Sequence, residues 1–464
     1  MPYDYDLITL GAGSGGVAAS RRAAAHGARV AIVEGGRVGG TCVLRGCVPK
    51  KLLMYAAQFG DGFREARGYG WNVAEPAFEM PRWAAAKAAE TARLEIIYRK
   101  MLQGADVALL EGWATLDRPH HVRVRDVRDS SGERVERVVS ARHVLIATGG
   151  APTRDSIPGI EHCANSDELL DLVDLPSSVA VVGGGYIAVE FASMFARLGV
   201  KVAIFYRDRL PLRGFDEMLR TAAAAELQGA GIELHPGQAP SSVRKTDDGL
   251  LLAFGEDRVR EFPWVLNATG RRPNTAGLGL AEVGIATDQA GAVKVDADMA
   301  TTLAGHHAIG DVTNRKNLTP VAIAEGRALA DNLFGNQHRT VDLSLVASAV
   351  FMLPPIASVG PSEAEALAAG HSLRIFETEF RPMKQAFIGG TERAHMKLLV
   401  DAATDRVLAV HMIGSDSPEI VQSLAVALTA GATKAHFDRT IAMHPTAAEE
   451  FVLLREPTRT ASPA

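Results

Sequence analysis

The chain has 464 residues, enough for two to four domains with sizeable cores. Hydrophobic residues make up 47% and charged residues 22%, and the formal net charge of -5 comes with no long block of either sign, which excludes a general nucleic-acid or membrane-surface binder. No apolar run reaches 18 residues, so no membrane span is expected, and three cysteines cannot make a secreted disulfide framework; a reducing, cytoplasmic compartment is expected instead.

The opening stretch, "MPYDYDLITLGAGSGG", lacks a basic region followed by an apolar run and a cleavage site. It reads as the first strand of a domain rather than a signal peptide. Residues 11–34, "GAGSGGVAASRRAAAHGARVAIVE", then give a glycine turn, an alanine-rich helix, a glycine and a β-branched strand. Residues 183–206, "GGGYIAVEFASMFARLGVKVAIFY", repeat the pattern after the apolar run "SSVAVV". Each copy is the start of a dinucleotide-binding βαβ unit. One glycine motif is weak; two in strand-turn-helix context leave little room for a pair of unrelated turns. The glycines let a pyrophosphate approach the backbone N–H groups at a helix N-terminus, where the dipole favours negative charge. A side chain at Gly13 or Gly185 would block that approach. The third position, Gly16 in one copy and Ala188 in the other, must be small so that helix and strand can pack.

Between the copies lies "GGTCVLRGCVPKKLL", residues 39–53, which holds Cys42 and Cys47. A cysteine pair in a reducing compartment is catalytic or metal-binding rather than structural. Half a zinc site would need a second Cys/His pair, and Cys163 stands alone in "EHCANS". No metal site is expected. Further on, "VVSARHVLIATGGAP" and "FPWVLNATGRRPN" each read as a strand entering a glycine turn, marking the chain's passage into and out of the second nucleotide domain. The last part begins with alternating apolar residues and Pro354-Pro355. It then gives strand-like "HMKLLVDAATDRVLAVHMIG" and helix-like "SPEIVQSLAVALTAGAT", an α+β pattern. The fold class expected is α/β: two Rossmann-like domains and a C-terminal α+β domain.

Two dinucleotide sites and a cysteine pair suggest an electron relay. The sequence resembles the flavin-dependent pyridine nucleotide–disulfide oxidoreductases in "GGTCVLRGCVPKK", in both glycine motifs and in "MHPTAAEEFV". The resemblance covers nearly the whole chain. It implies an FAD-binding domain at 1–150, an NADPH-binding domain at 151–271, a return to the FAD or central domain at 272–342, and a dimerisation domain at 343–464. The Pro-Lys-Lys after Cys47 resembles the branch of the family that reduces glutathione disulfide; the dihydrolipoamide branch usually carries Ser in place of the first Lys.

By the same resemblance Cys47 lies against the flavin, and Cys42 is the interchange thiol, exposed to the disulfide substrate. The attacking species must be a thiolate, and a helix N-terminus lowers a thiol's pKa. Lys50 is implied beside the flavin with Glu190 fixing it, and Tyr186 covers the flavin until the nicotinamide displaces it. His444 would protonate the departing thiolate, oriented by Glu449, and would act on the partner subunit's cysteines, which implies a homodimer. The FAD contacts carried over are Gly11, Gly13, Ser14, Gly15, Gly16, Glu34, Thr41, Cys42, Lys50, Ala114, Asp311 and Thr319. Among them Glu34 is expected at ribose hydroxyls, Ser14 and Thr41 near the pyrophosphate, Asp311 near the ribityl chain, and Thr319 at the positive end of a helix facing the flavin. Those for NADPH are Gly183, Gly184, Gly185, Ile187, Glu190, Arg207, Arg213 and Gly270. Ser14, Arg21, Tyr98 and Arg327 match positions that contact glutathione.

Coenzyme choice can also be read from the two motifs directly. Twenty-three positions after Gly11 stands Glu34, an acid suited to a free ribose hydroxyl; 23 after Gly183 stands Tyr206, followed by Arg207, Arg209 and Arg213. Guanidinium groups suit a 2′-phosphate, so NADPH is favoured over NADH, although Asp208 between the arginines points the other way. The expected activity is transfer of electrons from NADPH through FAD and Cys42–Cys47 to glutathione disulfide. Reduction of another small disulfide, dihydrolipoamide dehydrogenation and a non-catalytic flavoprotein scaffold are the alternatives. Intact Cys42, Cys47, Lys50, Glu190 and His444 speak against the scaffold.

Overall fold

The computed structural model describes residues 3–74, 76–128, 134–255 and 257–463. The chain divides into two compact units. One comprises Met1–Lys50, Pro81–Thr153 and Gly270–Leu343, the other Lys51–Met80, Arg154–Thr269 and Ser344–Ala464.

In the first unit a parallel sheet runs in the order Ala108–Glu111, Val30–Glu34, Tyr5–Leu10, Arg134–Ile146, and His306–Ala308 also pairs in parallel with Arg134–Ile146. The first strand, "YDLITL", is apolar at successive positions because both faces are covered. Ile8 and Leu10 join Ala31, Val33, Val144 and Ile146 on one side, against an antiparallel layer that contributes Leu116, Val122, Val124 and Val139. Leu7, Val30, Ile32 and Leu145 face the other way, toward helical residues Val17, Ala19, Ala23 and Leu329. Those residues belong to the helices Ser14–Ala25 and Thr319–Phe334. The long strand Arg134–Ile146 serves both layers, antiparallel to His121–Arg128 at its start and parallel to Tyr5–Leu10 at its end.

The second unit contains a four-stranded parallel sheet in the order Glu233–Pro236, Lys201–Tyr206, Ser178–Val182, Val265–Asn267, with the helix Tyr186–Arg197 following the central strand. Cys163 is buried in its core beside Ala180, Val182 and Phe205. The C-terminal part forms a six-stranded antiparallel sheet among the described residues. The apolar stretch near residue 400 makes its two central strands, Ala394–Asp401 and Val407–Ile413, and Ser417–Thr429 is the helix packed on them. This is the α/β architecture with an added α+β domain that the motifs imply. No helix among the described residues is long and apolar enough to cross a membrane.

Candidate active site

The two glycine turns have the same build. Gly11 and Gly183 sit at φ +103° and +129°, the left-handed region that glycine tolerates. A Cβ there would lie 2.5 Å from the Ala147 carbonyl oxygen and 2.2 Å from that of Ala268. The second glycines differ in cause. Gly13 and Gly185 have ordinary φ values of -77° and -82°. A Cβ on Gly13 would come no closer than 3.8 Å to protein, and one on Gly185 would meet nothing within 4 Å. Neither backbone strain nor packing requires glycine there. What the missing side chains leave open is the N-terminus of a 12-residue helix with no side-chain cap and no acid in its first turn. That cradle fits a dinucleotide pyrophosphate in each unit. At the third position a Cβ on Gly16 would be 2.1 Å from the Gly11 oxygen, whereas Ala188 is accommodated fully buried. Gly15 packs against Ala322 of the helix Thr319–Phe334.

The glycine pair before the cysteines closes on the first cradle. Gly39 donates its N–H to the Ala12 carbonyl at 3.0 Å, and a Cβ on Gly40 would be 2.6 Å from Gly13 Cα. Cys42 follows in the short helix Gly40–Leu44, and Cys47 opens the 22-residue helix Cys47–Gly68. The two side chains are hydrogen-bonded to each other. Thr319, at the first turn of its helix, brings its hydroxyl to 3.7 Å from Cys47 Sγ and also hydrogen-bonds Cys42. That hydroxyl contact lies 272 positions away in sequence from Cys47, and only the helix start at Thr319 hints at it.

The hydrogen bond to Cys47, with burial added, pushes the Cys42 thiol well above the ordinary cysteine value; Thr319 and the Lys50 charge work against the shift. Cys42 is therefore the protonated member of the reduced pair, and Cys47, at a helix N-terminus, is the one placed to carry the negative charge. Cys47 is exposed at the start of its helix, and Cys42 is partly buried, its side chain hydrogen-bonded to Cys47 and Thr319. Cys163 has no such neighbours; burial pushes its thiol up to about 12, which makes it inert.

The other residues expected at the flavin lie in the first unit. Glu34 accepts the Ala12 N–H on one carboxylate oxygen at 2.8 Å and the Gly36 N–H on the other at 2.9 Å. The acid thus shapes the glycine turn itself, with lone pairs left for a ribose hydroxyl. Thr41 is exposed in the short helix Gly40–Leu44, one residue before Cys42. Ala114 lies on the strand Trp113–Arg118, partly buried against the sheet core. Asp311 sits in the 3-10 turn Gly310–Thr313. Burial raises its pKa, against the pull of Arg271, so a hydroxyl donor would suit it. Lys50 lies one turn into the cysteine helix, its N–H bonded to the Gly46 carbonyl.

The expected substrate residues separate into two kinds. Arg21 and Arg327, on the two packed helices, are exposed. Their neighbours Arg22 and His26 converge with Arg339 on the buried Asp331; burial acts to raise that carboxyl, and the three partners hold it far below the usual range. Tyr98 is half-buried; burial raises its phenol while a hydrogen bond with the Ser14 side chain lowers it. Ser14 and Tyr98 are thus brought together at the mouth of the first cradle.

In the second unit Glu190 is 0% exposed and accepts the Phe351 N–H at 2.8 Å, fixing the chain as it leaves the strand Ser348–Val350. Tyr186 begins the helix and is exposed, and Ile187 beside it is half-buried. Gly184 offers its carbonyl to the Leu212 N–H at 2.7 Å, which ties the arginine loop to the glycine turn. Within that loop Arg209 pairs with Glu217, while exposed Arg207 and Arg213 form no hydrogen bond or ion pair among the described residues. Gly270, at φ +143°, belongs by contrast to the first unit, where its carbonyl accepts the Thr153 N–H at 3.1 Å. His444 projects with 80% of its side chain exposed, its Nδ1 3.1 Å from both carboxylate oxygens of Glu449.

Residues 5–326 match the family described as pyridine nucleotide-disulphide oxidoreductase, and residues 346–455 match that family's dimerisation domain. The chain is 47% identical to a glutathione reductase of Burkholderia cepacia, over 98% of this chain and 99% of that one. It is 45% identical to a chloroplastic/mitochondrial glutathione reductase of Pisum sativum, over 98% and 83%. A trypanothione reductase of Trypanosoma congolense is 37% identical over 98% and 96%. Since both family regions match in order and the alignments span almost the whole chain, it belongs to the pyridine nucleotide-disulphide oxidoreductases.

Proposed function

We propose that the chain is an NADPH- and FAD-dependent reductase of glutathione disulfide. The observation that carries this reading is the docking of the Cys42–Cys47 turn on the first pyrophosphate cradle, Gly40 against Gly13. It sets a two-electron thiol pair beside the first of the two dinucleotide sites. Bound between these residues, NADPH would supply a hydride and FAD would supply the electron pair that opens the cysteine disulfide. The chain's residues do the rest. Reduction breaks the Cys42–Cys47 bond. The Cys42 sulfur, deprotonated, attacks one sulfur of glutathione disulfide, forming a mixed disulfide and expelling a glutathione thiolate, which His444 protonates. Cys47 then attacks the Cys42 sulfur, restores the internal disulfide and releases the second glutathione. The electrons balance: one disulfide is reduced and one re-formed.

We assign the sites as follows. FAD lies in the 1–150 domain against Gly11, Gly13, Ser14, Gly15, Gly16, Glu34, Thr41 and Ala114, with Lys50, Asp311 and Thr319 toward its reactive end. NADPH lies in the 151–271 domain against Gly183, Gly184, Gly185 and Ile187, with Tyr186 and Glu190 toward the nicotinamide. Residues 272–342 complete the FAD domain and 343–464 form the dimerisation domain. Arg21 and Arg327, exposed on neighbouring helices, suit the carboxylates of glutathione better than a cationic disulfide. The working form is a homodimer, in a reducing cytoplasm. Supporting it, Tyr55, Phe59 and Phe63 form an exposed apolar stripe at i, i+4, i+8, and Met383, Phe387, Ile441 and Met443 are exposed as well. The test is steady-state turnover with NADPH or NADH against glutathione disulfide, trypanothione disulfide and lipoamide. Highest kcat/KM for NADPH with glutathione disulfide is expected; preference for lipoamide with NADH overturns the reading.

Arg207 and Arg213 are assigned to the 2′-phosphate. A hydrogen bond to a charged group contributes about 1.5–3 kcal/mol, roughly 10–150-fold in affinity. Arg207→Ala or Arg213→Ala should raise the KM for NADPH by at least about tenfold and leave that for NADH nearly unchanged. Equal losses for both coenzymes would contradict the assignment.

A further inference from the structure

The arginine loop ends on Asp216, whose carboxylate lies inside a buried ion cluster. Asp216 Oδ1 accepts the Met218 N–H at 3.0 Å and so caps the helix Glu217–Gly229. Its Oδ2 accepts the Glu363 N–H at 3.0 Å. Lys397, from the central strand Ala394–Asp401, donates to both oxygens at 2.9 and 3.1 Å and to Glu363 Oε2 at 2.7 Å. Asp216 and Lys397 are each 1% exposed. Arg459 clasps Glu363, Glu377 approaches Lys397 to 3.3 Å, and His411 comes within 3.9 Å of Asp216.

Taking an ion pair out of water gains little stability, and a hydrophobic replacement is often neutral or better; what such a cluster provides is a single register. Here the register belongs to the loop. Leu212 is pinned to Gly184 of the glycine turn, and Leu210 and Pro211 are held through their carbonyls by Arg220. Arg213 comes next, followed by Gly214 at φ +91°, which no protein atom crowds. The Phe215 N–H closes a turn around these two residues by bonding back to the Leu212 carbonyl at 3.0 Å, and Asp216 follows directly. The tight turn that carries the Arg213 guanidinium is therefore anchored on one side by the glycine turn and on the other by the Asp216 carboxylate on the buried lysine.

We infer that Asp216 and Lys397 are positioning residues for the coenzyme's 2′-phosphate, holding Arg213 in the geometry that binds it. The inference rests on the assignment of Arg207 and Arg213 to that phosphate. The test uses the holoenzyme and calorimetric binding of 2′,5′-ADP, which carries the 2′-phosphate, against 5′-AMP, which does not. Asp216→Asn keeps the cap oxygen and loses the charge; Lys397→Met leaves Asp216 buried without its partner; the double variant leaves neither charge. Each should weaken 2′,5′-ADP by about three- to tenfold, the effect of losing one ordered side chain, with 5′-AMP binding and kcat unchanged. The double variant should regain part of the thermal stability lost in Lys397→Met while its 2′,5′-ADP affinity stays low. A merely structural cluster would instead restore both together, or weaken both ligands alike, and either result overturns the inference. Arg213→Ala, measured in parallel, separates the two levels. If it weakens 2′,5′-ADP and the double variant does not, the positioning role alone falls; if Arg213→Ala has no effect, the phosphate assignment falls and takes the inference with it.

Discussion

Replacing Cys42 by serine should reduce turnover of glutathione disulfide by about 10³-fold or more, to the background rate. The size follows from the chemistry. A serine hydroxyl cannot form the mixed disulfide, so the covalent route is lost rather than slowed. No other sulfur can replace it. Cys163 is buried in the second unit's core with its thiol pushed up to about 12, so its thiolate is scarce at neutral pH. Cys47→Ser should be equally inactive, because the mixed disulfide on Cys42 could not be resolved. In both variants NADPH should still bleach the visible absorption of the flavin, since the coenzyme sites are untouched. The measurement is stopped-flow reduction by NADPH beside steady-state disulfide turnover. Near wild-type turnover in Cys42→Ser would refute the assignment of the interchange sulfur.

The features read correctly from the chain are local ones. Each glycine turn declares itself within six positions, because the left-handed φ and the open helix N-terminus are local, even though the Ala147 and Ala268 carbonyls that crowd Gly11 and Gly183 lie far along the chain. The cysteine turn is legible for the same reason. What escaped the reading depends on contacts between generic residues far apart. Thr319 reaches the cysteines across 272 positions, Glu190 holds the Phe351 N–H across 161, and Lys397 meets Asp216 across 181. A threonine, a glutamate or a lysine carries no mark of such a partner until the fold supplies it. Glu34 shows a subtler case. The spacing locates the acid, but its two bonds to the Ala12 and Gly36 amides, which make it part of the turn, follow only from the folded backbone.

His444→Ala should slow disulfide reduction by about 10²–10⁴-fold, the usual contribution of a positioned general acid. The geometry gives His444 one task. Nδ1 faces both Glu449 oxygens at 3.1 Å, so Nδ1–H donates to the carboxylate and Nε2 is the atom presented outward. The Glu449 carboxylate also accepts the Thr446 N–H at 3.4 Å, so the acceptor cannot swing away freely. Cys42 supplies the reason a base is needed as well: its thiol is raised by the bond to Cys47, so attack on the substrate requires its proton to be taken. Flavin reduction by NADPH involves neither proton and should stay within about twofold of wild type, whereas loss of an acid that acts on both half-reactions would exceed the single-step range. Subunit mixing then decides where His444 works. Combine a Cys42→Ser chain with a His444→Ala chain and purify the heterodimer. If each site takes its cysteines from one chain and its histidine from the other, one site carries both lesions and its twin carries none, so about half the wild-type activity should return. If each site lies within one chain, both sites are damaged and nothing returns. An inactive, verified heterodimer would therefore rule out the shared site, while leaving the acid role of His444 to stand or fall on the alanine variant alone.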